Sequence, residues 1–242
     1  MKVLVFDIWG DFGHFRKFYT TTSPLTFSFP PLPTIAGILG AICGTDKNTN
    51  EYLRVLGGDK CKISLQILSP VKKVRMGLNL LETKGTNLRL PMSDKNLASR
   101  TQIRTEFLKD PHYRIYVSHE DDTVFDGLCK NIKEHRTVYT VSLGLSELLA
   151  DFMYVGIYEC KEVRDGGVVE LSTPITADNL IKDSLEIESG KKYFKEKIPI
   201  SMNTARVIGR YDDVIFEPDG KTIKAKAETY CKLENGENIA FF

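Results

Sequence analysis

The chain has 242 residues, of which 42% are hydrophobic, with 33 lysines and arginines against 32 aspartates and glutamates. That length and apolar content support a sizeable buried core and exclude a disordered chain, while the net charge of +1 excludes a globally basic or acidic character that would by itself name a partner. Cys43, Cys61, Cys129, Cys160 and Cys231, odd in number and without a C-x-x-C pair, exclude a disulfide framework and a structural zinc site and fit a reducing cytoplasm.

Val3–Trp9, rich in Val, Ile and aromatics, predicts a strand. Asp7 and Asp11 interrupt its apolar run and no small-residue cleavage site follows, so the opening residues do not read as a signal peptide. The loop Gly10–Tyr19 (GDFGHFRKFY) interleaves Phe12, Phe15, Phe18 and Tyr19 with His14, Arg16 and Lys17, the mixture that single-stranded nucleic-acid sites use for stacking and charge. Aromatics in such a loop also serve as core anchors. After the prolines of Phe27–Pro33, Thr34 is read as the N-cap of a short helix Ile35–Cys43 ended by Gly44. Gly37 and Gly40 cost that helix about 1 kcal/mol each relative to Ala, which implies a close approach by a strand, a neighbour or a nucleic acid. At nine apolar residues this stretch is far too short to span a bilayer.

Cys61–Val71 and Tyr113–Val117 predict the second and third strands, Asp121–His135 an amphipathic helix with Phe125, Leu128, Cys129 and Ile132 on one face, and Phe152–Cys160 a fourth strand. Strand, helix, strand, strand, helix, strand is the split βαβ order, so the fold class is α+β, a ferredoxin-like (RRM-like) βαββαβ domain over residues 1–160. Residues 161–242 read as a small β-rich extension, with strand-like runs at Val168–Leu171, Lys197–Met202, Val207–Phe216 and Thr222–Ala227. Charge is unevenly spread: from Pro70 to Arg114 there are ten basic and four acidic residues, a local +6 that leaves −5 elsewhere. Within that segment the polar insertion Glu82–Thr105 carries Lys84, Arg89, Arg100, Gln102 and Arg104, which suits a protruding arm that grips RNA, although most basic loops of this length are solvated surface loops.

No central strand carries the aromatic run of an RNA-recognition motif, so any RNA is expected away from the sheet face. No His/Asp/Glu cluster has metal-ligand spacing, and no nucleophile elbow or phosphate loop occurs, so neither a metal nor another cofactor is expected.

The stretch GDFGHFRKFYTTTSPLTFSFPPLPTIAGILGAI at Gly10–Ile42 resembles the opening signature of CRISPR-associated Cas family five, and QIRTEFLKDPHYRIYV (Gln102–Val117) and YTVSLGLSELLADF (Tyr139–Phe152) are similar to its type I-B members. The resemblance implies a non-catalytic Cascade subunit in antiviral defence. It would bind and cap the five-prime handle of the CRISPR RNA, contact the backbone and large subunits, and meet target DNA through the complex. It also implies that the Glu82–Thr105 insertion is the family's thumb. His14, Arg16, Lys17, Tyr19, Lys84, Arg89, Arg100, Gln102 and Arg104 are the candidate RNA contacts, and Thr34, Gly37 and Gly40 mark the close-approach helix. One branch of the family, in type I-C systems, cuts precursor CRISPR RNA without metal using a Tyr, Lys and His constellation with an adjacent Lys-His pair. Gly13, Pro111, Ser118 and Glu134 precede the four histidines here, so that pair is missing, though His14 and Tyr19 could supply part of a cleavage site. A general single-stranded RNA binder is the third reading.

Overall fold

The computed structural model describes residues 1–81 and 100–242. Its largest sheet forms around β1 (Lys2–Trp9), where Leu4, Phe6 and Ile8 point to one face and Val3, Val5 and Asp7 to the other, as the two-residue period of a strand requires. β1 pairs antiparallel with β6 (His112–His119) on one side and β7 (Asp151–Val163) on the other, and β3 (Cys61–Ile67) pairs antiparallel with β6. The order is therefore β7-β1-β6-β3.

Two helices cover one face of this sheet. α1 (Leu32–Cys43) follows β1, and α3 (Asp122–Lys133) links β6 to β7. Ile35, Leu39 and Ile42 of α1 and Phe125, Leu128 and Ile132 of α3 are buried with Leu4, Phe6, Ile8, Leu65 and Ile115 in one core. Each such side chain contributes about 1.5–3 kcal/mol on burial. α3 starts where its sequence says it should, for the Asp121 carboxylate accepts from the Thr123 and Val124 amides. α1 begins three residues earlier than expected: Pro31 is its cap, Leu32 and Pro33 form its first turn, and Thr34 lies inside it. Proline is tolerated there because first-turn amides have no intrahelical acceptor. Its end at Gly44 (φ +77°) is as expected.

The second expected strand stops at Ile67, and the residues up to Val71 turn into a hairpin arm formed by β4 (Lys72–Leu81) and β5 (Arg100–Lys109). The arm thus starts ten residues before the predicted insertion, and only Arg100–Thr105 of that insertion lie among the described residues. β2 (Phe12–Gly13) adds to β5 and ties the aromatic loop to the arm's root. A one-and-a-half-turn helix α2 (Glu51–Val55), not foreseen from the sequence, packs on α1.

Beyond Val163, β8 (Val168–Leu171) pairs with β12 (Ile223–Lys226), and β10 (Phe194–Met202) pairs with β11 (Ile208–Phe216), which also pairs with β9 (Ile175–Thr176). β13 (Tyr230–Leu233) and β14 (Asn238–Ile239) return to the main sheet and extend it past β7. Ile198, Ile200, Val214 and Phe216 enter the same core as the helices. Among the described residues, no helix is long and apolar enough to cross a membrane.

Candidate nucleic-acid interface

The loop after β2 is pinned from three sides. The His14 amide donates to the Leu143 carbonyl (2.9 Å), the Phe15 amide to the Thr26 hydroxyl (2.9 Å), and the Phe27 amide to the Phe15 carbonyl (2.8 Å). Phe15 is core, so the anchoring reading of the loop aromatics holds for it, whereas Phe18 and Tyr19 are half or more exposed. His14 is buried; its Nδ1 lies 2.7 Å from the Glu106 carbonyl, which as an acceptor fixes the proton on Nδ1. Burial lowers its pKa below the usual histidine value, with the Arg16 charge acting in the same direction and the Glu106 carbonyl opposing, so His14 is neutral at pH 7.

An open cleft of about 650 Å³ runs between this loop, α1 and the arm. His14 and Arg16 line one wall, Thr34, Gly37, Ile38 and Tyr52 another, and Leu78, Leu80, Ile103 and Thr105 the arm side. Thr140 and Ser142 add hydroxyls from the loop before β7, with Glu147 as the one lining carboxylate among the described residues, and Met202 and Arg206 close the cleft from the turn between β10 and β11. Arg16 donates only to the Thr20 and Thr21 carbonyls and, like Arg206, has no carboxylate partner among the described residues. Apolar walls, hydroxyls and two unneutralised guanidiniums can hold an unstacked base beside a phosphate.

The sequence candidates divide accordingly. The cleft brings together His14, Arg16, Thr34 and Gly37. Lys17 is turned inward instead, in an ion pair with Glu196 where both side chains are largely buried. Burial disfavours its charge, but the hydrogen bond and field of Glu196 outweigh that and raise its pKa. Tyr19 sits outside the cleft, edge-on to Phe18. Gln102 and Arg104 are exposed on the arm face opposite Ile103 and Thr105, by strand alternation. Arg100 opens β5, while Lys84 and Arg89 lie outside the described residues. The close approach at Gly40 is made by α2: a Cβ there would lie 2.7 Å from both the Tyr52 Cβ and the Thr45 hydroxyl.

The family model described as CRISPR-associated protein (Cas_Cas5) matches residues 3–215. The chain belongs to this family. Among solved structures, this Cas5-family protein is similar to a CRISPR protein from Archaeoglobus fulgidus, with a TM-score of 0.59 at 14% identity over 99% of this chain and 98% of that one. It is also similar to a chain of a CRISPR RNA-guided surveillance complex, with a TM-score of 0.51 at 11% identity over 92% and 91% of the two chains. A chain of a type III-B Cmr-beta complex bound to cognate target RNA and AMPPnP scores 0.50 at 14% identity over 93% and 86%. At these identities the likeness carries the mixed α/β fold. A comparison with proteins of curated function found no significant match.

Sequence reasoning missed Tyr52, Thr140, Ser142, Met202 and Arg206 as cleft residues of this Cas5-family protein. Arg206 left one signal, its place in the polar run Asn203–Arg206 between two strand-like segments, which marks a turn but not what the turn faces.

Proposed function

We propose that this Cas5-family protein is the non-catalytic subunit of a type I surveillance complex that holds and caps the five-prime handle of the CRISPR RNA. The observation that carries this reading is the cleft that joins His14, Arg16, Thr34 and Gly37 to the root of the arm. The all-antiparallel order β7-β1-β6-β3, with both helices on one face, supports a ferredoxin-like domain over residues 1–160, with residues 161–242 as its β-rich extension. β4 and β5 are then the base of the thumb. Arg16 provides the phosphate contact in the cleft, Gln102, Arg104 and Arg100 meet RNA along the arm, and Lys17 holds the loop in place through Glu196. The backbone and large subunits are its protein partners, it meets target DNA through them, and it works in the cytoplasm.

One observation favours metal-independent cleavage of precursor RNA as a second reading: neutral His14 lines the cleft and makes no protein hydrogen bond through Nε2 among the described residues. Such cleavage also needs an acid for the leaving oxygen, and Tyr19 is not in the cleft to provide it. Labelled RNA carrying a type I CRISPR repeat, incubated with the purified chain in EDTA, should stay intact on a denaturing gel. It should bind more tightly than a scrambled RNA of equal length, and Arg16→Ala should weaken binding about ten-fold. Discrete cleavage lost in His14→Ala would establish the nuclease. Equal affinity for both RNAs would reduce the protein to a general single-stranded binder.

A further inference from the structure

We infer that the β10–β11 hairpin is a second RNA-gripping element that faces the arm across the cleft and carries a stacking ledge for an unpaired base. The inference rests on the RNA-binding reading above and extends it to residues 194–216.

Two observations carry it. The first is placement: Met202 and Arg206 at the hairpin's tip line the same cleft as Arg16 and the arm residues Leu78 and Ile103. The tip is held in place. Its amides close on Asn203 (Arg206 amide to the Asn203 carbonyl, 2.8 Å; Val207 amide to the Asn203 side-chain oxygen, 2.9 Å), and Asn50 beside α2 donates to the Thr204 carbonyl at 2.9 Å.

The second observation is the aromatic cluster at the hairpin's flank. Tyr211 of β11 packs against Phe18 (ring centroids 4.7 Å), and Phe18 meets Tyr19 edge-on at 5.1 Å. Phe18 and Tyr19 remain 50% and 59% exposed, so each keeps ring surface open although Tyr211 packs against Phe18. The Lys197 ammonium stands 5.8 Å from the Tyr211 ring centre. Charge decides what occupies this ledge. Lys17, Lys195 and Arg210 are matched by Glu196, Asp213 and Asp178, whereas Lys197, Arg206 and Arg16 have no carboxylate partner among the described residues. Open rings beside unneutralised cations, continuous with a cleft through the Arg16–Tyr19 segment, recognise a base and its flanking phosphates in single-stranded RNA.

The test uses fluorescence anisotropy of the repeat RNA with the full chain and four variants, read across a salt series, with circular dichroism to confirm folding. Phe18→Leu and Tyr211→Leu keep apolar bulk and remove the aromatic surface. Each should weaken binding about ten-fold without changing the salt dependence, because stacking releases no counterions. Arg206 has φ +61°, a conformation asparagine accepts well, so Arg206→Asn leaves the turn unstrained. It and Lys197→Gln should each flatten the log–log salt slope by about 0.7, the increment of one phosphate contact on a single strand. Crosslinking of RNA substituted with 4-thiouridine should map to the Phe18–Tyr19 segment, and the part that maps to Phe18 should be lost in Phe18→Leu. If all four variants keep the parent's affinity and slope while Arg16→Ala weakens binding, the hairpin is no RNA element and the cleft reading stands. If the parent chain does not bind the RNA at all, the function itself is overturned and this inference with it.

Discussion

Replacing Gly144 with alanine should unfold the wall of the cleft before it touches anything else. Gly144 has φ +106°, and a Cβ there would lie 1.9 Å from the His14 carbonyl oxygen and 2.8 Å from its carbon. Both obstacles are backbone, so no side-chain rotation relieves the clash. The φ value alone costs about 1–3 kcal/mol in a non-glycine residue. Moving residue 14 away also breaks the His14 amide bond to the Leu143 carbonyl and endangers the imidazole bond to the Glu106 carbonyl, at about 1 kcal/mol each. The total is about 3–5 kcal/mol, which for a chain of this length lowers Tm by about 10 °C. Gly166→Ala is the matched control: φ is +63° and no atom lies within 4 Å of the added methyl, leaving only left-handed strain of about 1–2 kcal/mol. Thermal unfolding of the two variants by circular dichroism separates the clash from the dihedral. Equal losses in the two would refute the packing of residue 144 under His14.

Other expectations concern the core and its ionisable groups. The Asp7 carboxylate, 8% exposed, accepts from Arg114 at 2.8 and 3.1 Å, with Glu237 a distant second partner of the guanidinium at 3.7 Å; Asp7→Asn should cost about 3 kcal/mol in urea denaturation, and a loss below about 1 kcal/mol would mean Glu237 takes over. Burial, aided by the nearby Asp178 charge, raises the Asp212 pKa, and its Oδ2 has no partner among the described residues. An acid whose pKa rises on folding holds its proton more tightly in the native state, so stability falls as pH climbs from the ordinary carboxylate range to the raised value; Asp212→Asn should therefore be more stable than the parent at neutral pH, with the gap closing in acid, and a gap independent of pH would refute the assignment. Burial pushes the Cys43 and Cys129 thiols up to about 11 and Cys61 to about 12, so a thiol reagent at pH 8 should label none of the three before denaturant is added, and rapid native labelling of any would contradict their packing.

What the sequence made legible was the periodic part of the molecule. β1, α3, β6 and β7 carry a clear two- or 3.6-residue pattern, and each lies within a few residues of its predicted position. The arm was misplaced because Lys72–Leu81 is polar on one face and only moderately apolar on the other, a pattern strands share with loops when neither face is core. α2 escaped because five residues carry too little periodicity to register, β13 because its pairing with β7 spans some seventy residues of chain, and β14 because it is two residues long and pairs with β13. At the site, Arg16 was legible as a cation among aromatics. Lys17, its neighbour with the same local signal, is neutralised by Glu196, a partner far along the chain that no local pattern reveals.

Elsewhere in the chain, the last strands close one face of the main sheet. In an RNA-recognition sheet the face opposite the helices stays open so that bases can stack on it. Here that face is filled. Val3, Val5 and Tyr116 lie under Cys231, Leu233 and Ile239, and beside them the Tyr116 hydroxyl bonds Gln66 and Glu237 while Arg114 spans Asp7 and Glu237. Residues 240–242 then cross toward β3, where the Ser64 hydroxyl donates to the Ala240 carbonyl and the Phe242 amide to the Ile63 carbonyl. A nucleic acid laid on this face would have to displace two paired strands and a buried ion pair. The arm, the Arg16–Tyr19 turn and the β10–β11 tip converge instead around the cleft, where Arg16 and Arg206 have no carboxylate partner among the described residues and, beside it, Phe18 and Tyr19 are half or more exposed. Residues 230–242 close this sheet face while residues 202–206 border the cleft, so deleting residues 230–242 should expose an apolar sheet face, read as increased binding of a hydrophobic dye, and unchanged dye binding would refute the packing.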